Sequence, residues 1–135
     1  KGALADLGRA VALRPANLDW LHQRAALERR LGDPAAALHD LIAILDRAPS
    51  RGDAWVLRGS IEREQGKNEE AIASETRAIE LSPASADAHF ERGYARLATN
   101  DTVGGRKDLE RFLELAPGDL RALEARATVK RLRDD

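Results

Sequence analysis

The sequence predicts an all-α fold, a series of antiparallel helix pairs stacked one on the next, and three observations carry that reading. Pro15, Pro49, Pro83 and Pro117 stand 34 residues apart, and four of the chain's five prolines lie on this ladder. Each closes a helical segment, because the ring removes a donor and clashes with the preceding turn. Apolar residues recur at helical spacing, as in Leu38, Leu41, Ile42 and Leu45, or Leu109, Phe112, Leu113 and Leu115, while strand patterning is absent. The breaks hold about two to five residues, so neighbouring helices must run antiparallel.

The spacing predicts helices over 2–14, 19–31, 34–47, 53–65, 69–81, 86–98, 103–116 and 120–133. The first runs up to Pro15. Gly32 ends the second because it tolerates the left-handed conformation, and Asp33-Pro34 then gives the third an N-cap and a first-turn proline. Pro49 stops the third. Gly66 ends the fourth, Asn68 is expected to cap the fifth, and Pro83 stops that one. Asn100 replaces the glycine at the end of the sixth. The seventh is weakest at its start, where Gly104 and Gly105 each cost about 1 kcal/mol relative to Ala. Pro117 stops it, and the eighth follows. Asp19, Asp53 and Asp87 stand where helices begin and are read as N-caps rather than as a carboxylate ladder for a basic ligand.

A chain of 135 residues is expected to form one domain. Its 22 basic and 23 acidic residues leave a formal charge of −1, so no long-range field draws it to nucleic acid or anionic membrane. The absence of Cys excludes a disulfide framework and a thiolate metal site, and leaves the redox compartment open. No apolar run approaches the roughly 18 residues that cross a bilayer, and no signal peptide is read in these residues, so membrane insertion is not expected. A soluble protein is expected; its compartment stays open, with the cytoplasm favoured over the periplasm. Without a Met, Lys1 is not an initiator, and a piece of a longer chain or a processed product is expected. Arginine far outnumbers lysine and alanine is abundant, which suggests a GC-rich, bacterial coding sequence.

The period reaches beyond proline. With Pro as position 32 of each unit, position 8 is Ala25, Gly59, Gly93 and Ala127, and position 20 is Ala3, Ala37, Ala71 and Gly105. Both are small enough for two helices to approach closely. Position 28 is Val11, Leu45, Ile79 and Leu113, always large and apolar. Position 24 of the middle unit breaks the pattern, with Glu75 where an apolar side chain is expected.

This helix-turn-helix period resembles the tetratricopeptide repeat family, through Trp55, Gly59, Gly66, Ala71, Ala78 and Pro83 in the middle unit and Ala25, Gly32, Ala37 and Pro49 in the one before. The third unit keeps Gly93 and Pro117 but departs with His89 for the Trp, Asn100 for the Gly, Gly105 for the Ala and Phe112 at position 27. The resemblance implies a right-handed α-solenoid covering the whole chain as a single domain over 1–135: a half repeat over 1–17, full repeats over 18–51, 52–85 and 86–119, and a C-terminal capping helix over 120–135. It also implies that the first helix of each pair lines a concave groove.

At about 100° per residue, positions 2, 5, 9, 12 and 13 share that groove face. Candidate peptide-binding residues are therefore His22, Arg29, Arg30, Val56, Ser60, Arg63, Phe90, Tyr94 and Leu97. Phe90, Tyr94 and Leu97 would make an apolar stripe, with guanidinium forks of Arg29, Arg30 and Arg63 beside it, suited to a peptide with an apolar anchor and an acidic group. The alternative is that Phe90 and Tyr94 fill the interior or meet the terminal helix. Position 7, with Arg24, Arg58, Arg92 and Arg126, faces away from the groove and is read as structural. Its heads are expected on Glu28 or Glu62, or on Asp46, Glu80 and Glu114.

No enzyme chemistry is expected. His22, His39 and His89 lack metal-ligand spacing, so neither a metal site nor a catalytic set is assigned, and no cofactor is implied. Gly104-Gly105-Arg106-Lys107 has neither the preceding strand nor the spacing of a phosphate loop. The acidic chaperone tail that some relatives of this family hold does not fit, because His22 and Ala26 replace the expected groove residues and Asp87 and Glu91 repel a carboxylate. The leading expectation is a non-catalytic adaptor that binds a protein or peptide in its groove. The rivals are a homo-oligomerising scaffold, using Leu4, Leu7 and Val11 of the first helix, and a positioning arm of a larger protein.

Overall fold

A computed structural model describes residues 2–13 and 17–134. Its elements are α1 (Gly2–Leu13), α2 (Leu18–Arg30), α3 (Pro34–Arg47), α4 (Gly52–Glu64), α5 (Asn68–Leu81), α6 (Ala86–Ala98), α7 (Thr102–Leu115) and α8 (Ala122–Asp134). Pro15 and the end of the first expected helix lie outside the described residues, as does the Val11 side chain.

The punctuation works as its chemistry requires. Gly32 and Gly66 end α2 and α4 at φ +84° and +78°, and Asn100 takes the same left-handed turn after α6 at +68°. Asp33 accepts the Ala36 amide at 3.2 Å, and Asp101 caps α7 by accepting the Gly104 amide at 2.9 Å. That cap lets α7 begin at Thr102 in spite of its two glycines. Other caps fall elsewhere than expected. Asn68 is the first residue of α5, and the cap position is Lys67, which gives no side-chain bond. The caps of α2 and α6 are Asn17 and Ser85, that of α4 is Arg51, and Asp19, Asp53 and Asp87 sit inside the first turn.

Among the described residues, helix backbones approach between consecutive elements and, beyond these, only from α2 to α4 and from α4 to α6. Such a chain of neighbours is an open stack and not a closed bundle. Its apolar interior forms two clusters. One gathers Leu21, Leu41, Ile44, Leu57 and Ile61; the other gathers Phe90, Leu109, Phe112, Ala125 and Val129.

Inside each pair the helices cross at the small residues. A Cβ built on Gly105 of α7 would lie 2.9 Å from the Gly93 carbonyl of α6 and 2.6 Å from Leu97. A polar lock joins the same helices. Arg24 forks onto Asp40 at 2.8 and 2.7 Å, and Arg92 onto Asp108 at 2.8 and 2.8 Å with Arg96 adding a bond of 2.9 Å. In the middle pair Ser74 replaces the aspartate; it donates to Glu62 at 2.6 Å, with Arg58 3.5 Å from the same carboxylate. Of the partners expected for these arginines, Glu62 alone serves as one among the described residues; Arg24 and Arg92 fork onto a buried carboxylate of the second helix of their own pair, and Arg126 donates to the Pro117 carbonyl. Trp55 donates its indole N–H to the Pro49 carbonyl at 2.8 Å. His89 reaches the equivalent Pro83 carbonyl at 3.1 Å, so the exchange of Trp for His keeps that tie.

Gly105→Ala should destabilise the fold by about 1–3 kcal/mol, because backbone lies where the methyl would go. Gly8→Ala in α1 has nothing within 4 Å and should be neutral or stabilising by up to about 1 kcal/mol. Urea denaturation of the two variants checks the contrast; equal effects would show that the α6–α7 crossing is looser than this.

Candidate functional site

First helices of successive pairs approach one another, α2 to α4 and α4 to α6, whereas the second helices α3, α5 and α7 do not. The stack is therefore shorter on the side of α2, α4 and α6 and curves toward them. This is the concave face on which the sequence places its candidates.

Charged side chains clasp across that face from helix to helix. Arg29 of α2 donates to Glu64 of α4 at 3.0 Å, and Arg63 of α4 donates to Glu91 of α6 at 2.7 Å. Arg51 bridges Asp19 at 3.1 Å and Asp53 at 2.9 Å, and Arg121 holds Asp87 at 2.6 Å and Asp119 at 2.8 Å. The three first-turn aspartates are thus neither N-caps nor free; each is paired with an arginine of the loop that follows its repeat or begins its own helix. The carboxyl of Glu64 is held below its usual range by the Arg29 bond, Asp53 by the Arg51 bond, and Asp119 is pulled down to about 2 by Arg121. The partners Arg51, Glu91 and Arg121 were not among the candidates. Their signal, opposite charges 28 to 34 positions apart, is visible in sequence only once the curvature is known.

The remaining candidates divide. His22 is half-buried with Nε2 3.7 Å from Asp53, Arg30 is exposed, Val56 is half-buried and Ser60 is 3% exposed. Phe90 does not offer an open anchor: it is 6% exposed, edge-on to Tyr94 at 4.9 Å and to Phe112 at 5.0 Å, with the Arg121 guanidinium 4.9 Å over its ring. Tyr94 shares a 3.0 Å hydrogen bond with Thr128 of α8, and Leu97 leans on Gly105 of α7. Within the expected stripe Phe90 is buried, while Tyr94 and Leu97 are half-buried. No Cα pair brings α6 and α8 within 8 Å, and the two aromatic rings span that wider gap.

On the concave face, two depressions lie between α4 and α6. A depression of 250 Å³ is lined by Gly52, Asp53, Val56, Ser85 and Asp87 among others, and one of 220 Å³ by Arg29, Val56, Ser60, Glu91 and Arg121 among others. Val56 and Asp87 line both, so the two adjoin along one trough-shaped strip of the concave face. Among the described residues no group of three His, Cys, Asp or Glu side chains is arranged to hold a metal ion, and no helix is long and apolar enough to cross a membrane.

Glu75 lies on α5 against Gly59 of α4, where a Cβ would come within 2.3 Å of its carboxylate oxygen. It is 0% exposed, and neither oxygen has a hydrogen-bond partner. Burial, reinforced by Glu91, Glu62 and Asp87, pushes its pKa up to about 10. The side chain is therefore a neutral carboxylic acid around pH 7. Glu28 responds in the same direction, raised to about 8 by burial and by the Asp40 carboxyl beside it.

A family model for the tetratricopeptide repeat matches residues 22–86 and 76–120, and this chain belongs to that family. It is 30% identical over 116 residues to bacteriophage adsorption protein A of Escherichia coli K12, a match covering 86% of this chain and 11% of that protein. It is 35% identical over 83 residues to human tetratricopeptide repeat protein 36, covering 58% of this chain and 44% of the relative. The chain thus spans only a minor part of both. Among solved structures, the first repeat domain of Spaghetti (RPAP3) bound to the HSP90 peptide SRMEEVD superposes with a TM-score of 0.81 at 23% identity, covering 88% of this chain and 94% of that one. The fold is the right-handed α-solenoid of this family, a scaffold for protein–protein interaction.

Glu75→Leu should stabilise the fold by about 1–3 kcal/mol, since Leu41 and Leu109 fill the same position of the other pairs at 0% exposure and the unpaired carboxyl is removed. Glu75→Gln isolates the proton. A carboxyl raised from 4.5 to about 10 on folding contributes stability that is complete below the unfolded value and is lost as pH climbs toward the folded one. The advantage of Glu75→Gln over the parent should therefore grow by about 1.4 kcal/mol per pH unit between about pH 5 and pH 8. Urea midpoints across that range measure it, and a constant difference would mean that Glu75 ionises freely.

Proposed function

We propose that this chain is a non-catalytic adaptor whose concave face binds an extended segment of a partner protein. The two adjoining depressions at Val56 and Asp87 carry the reading: they lie between α4 and α6, with Val56 lining both and Ser60 lining one of them. Main-chain groups of an extended segment would lie across the helices, with one small apolar side chain over Val56. Arg29 and Arg63 already hold Glu64 and Glu91, so an acidic ligand must displace a carboxylate before it meets a guanidinium. An acidic peptide such as the one bound by the RPAP3 domain is thus not the ligand inferred for this chain, because Asp87 and Glu91 line the same trough.

A displayed library of random peptides supplies the probe. Peptides enriched on the parent chain should lose affinity at least tenfold with Val56→Arg, about 1.4 kcal/mol, and hold it with Ala73→Arg on an exposed position of α5. Failure to enrich any sequence, or equal losses with the two substitutions, would refute the groove.

A further inference from the structure

We propose that the segment bound on the concave face seats a lysine or arginine side chain in the depression between Asp53 and Asp87. The inference rests on the groove reading above and adds the chemistry of the occupant. Asp53 and Asp87 are the charged side chains that line this 250 Å³ depression, with Val56 beside them and the hydroxyls of Ser82 and Ser85 as further acceptors. The cap positions of α4 and α6 are Arg51 and Ser85, so both carboxylates remain at the surface, their side chains 54% and 59% exposed.

The arginines nearby do not cancel these acids. Arg51 is shared between Asp19 and Asp53, and Arg121 between Asp87 and Asp119, so two guanidiniums serve four carboxylates. Farther along the inner face the balance is one to one, Arg29 with Glu64 and Arg63 with Glu91. The starts of α4 and α6 add about half a positive charge each, which offsets about half of the excess. His22 Nε2 lies 3.7 Å from Asp53, beyond hydrogen-bond reach.

Glu75 reports the same sign of field. It lies on α5 one turn before Ala78, which lines the depression. Burial is the first cause that keeps its proton on, and Glu91, Glu62 and Asp87 add to it. The adjoining depression differs, since Arg29 and Arg121 line it together with Asp87 and Glu91, two charges of each sign. The strip is thus acidic at one end and balanced at the other. A bound segment acquires a direction from this, its cation at Asp53 and Asp87 and its small apolar residue over Val56.

Peptides selected from the random library on the parent chain are the probe, resynthesised for calorimetry. They should share one lysine or arginine at a fixed spacing from a small apolar residue. Exchanging that cation for norleucine should weaken binding about tenfold, and Asp53→Asn and Asp87→Asn about threefold each. The norleucine peptide should bind both variants as it binds the parent, which separates lost charge from a disturbed groove. Peptides that lose affinity with Val56→Arg yet share no cation would overturn this inference and leave the groove standing. Equal losses of the basic and norleucine peptides with the aspartate variants would do the same. A selection that enriches nothing would overturn both.

Discussion

The close crossing of paired helices at two small positions is the constraint on which the rest of the structure depends. Ala25 with Ala37, Gly59 with Ala71 and Gly93 with Gly105 stand on the facing helices of the three pairs, and the α6–α7 backbones come so near that a Cβ on Gly105 has no room. Close approach lets the large residues of the second helix, Leu41, Ile44, Leu109 and Phe112, lie fully buried along the first. It also fixes which face of the first helix is left over. That face meets the next first helix, the second helices stay apart, and a curve with an inner side results.

Curvature then governs the charges. On a straight rod Arg29 and Glu64 would be remote; on the inner side of a bend they meet at 3.0 Å, as Arg63 and Glu91 do at 2.7 Å. These pairs are partly exposed and each is worth little in isolation, on the order of 0–1 kcal/mol. Their weight lies in what they do to the surface. A chain with nearly equal numbers of acids and bases pairs them along its groove, which removes the simple attraction for a charged ligand that the sequence suggests when its arginines are counted one face at a time.

The fold was legible because its signals are local. A proline after each second helix, glycine or Asn100 at φ > 0 after each first helix, and small residues at fixed offsets act within one or two turns of where they stand. Residues of the trough depend on relations 28 to 35 positions apart, and these follow from the superhelix rather than from any local pattern. Phe90 illustrates the limit: helical spacing places it correctly on the inner face of α6, yet α8 covers that face, and only the path of the last helix decides between anchor and core. The aspartates misread as caps fail for the same reason, since Asn17 and Ser85 are equally good caps one residue outside the helix and leave Asp19 and Asp87 to the arginines.

A stack of this kind has stability that varies along its length, because each pair is held mainly by its neighbours. The middle pair is the one in which the lock loses its aspartate to Ser74 and in which Glu75 replaces a core leucine. Both changes weaken the same place, since a buried acid without a partner opposes the packing that Leu41 and Leu109 supply elsewhere. The trough opens between α4 and α6, directly in front of that pair. A segment bound there would span the joint that the sequence leaves softest, and its binding energy would be shared between contact and the ordering of α4 against α6. Replacing the acid by leucine separates these contributions: a stiffer joint demands less ordering from the ligand, so affinity in the trough should rise although no residue that touches the ligand has changed.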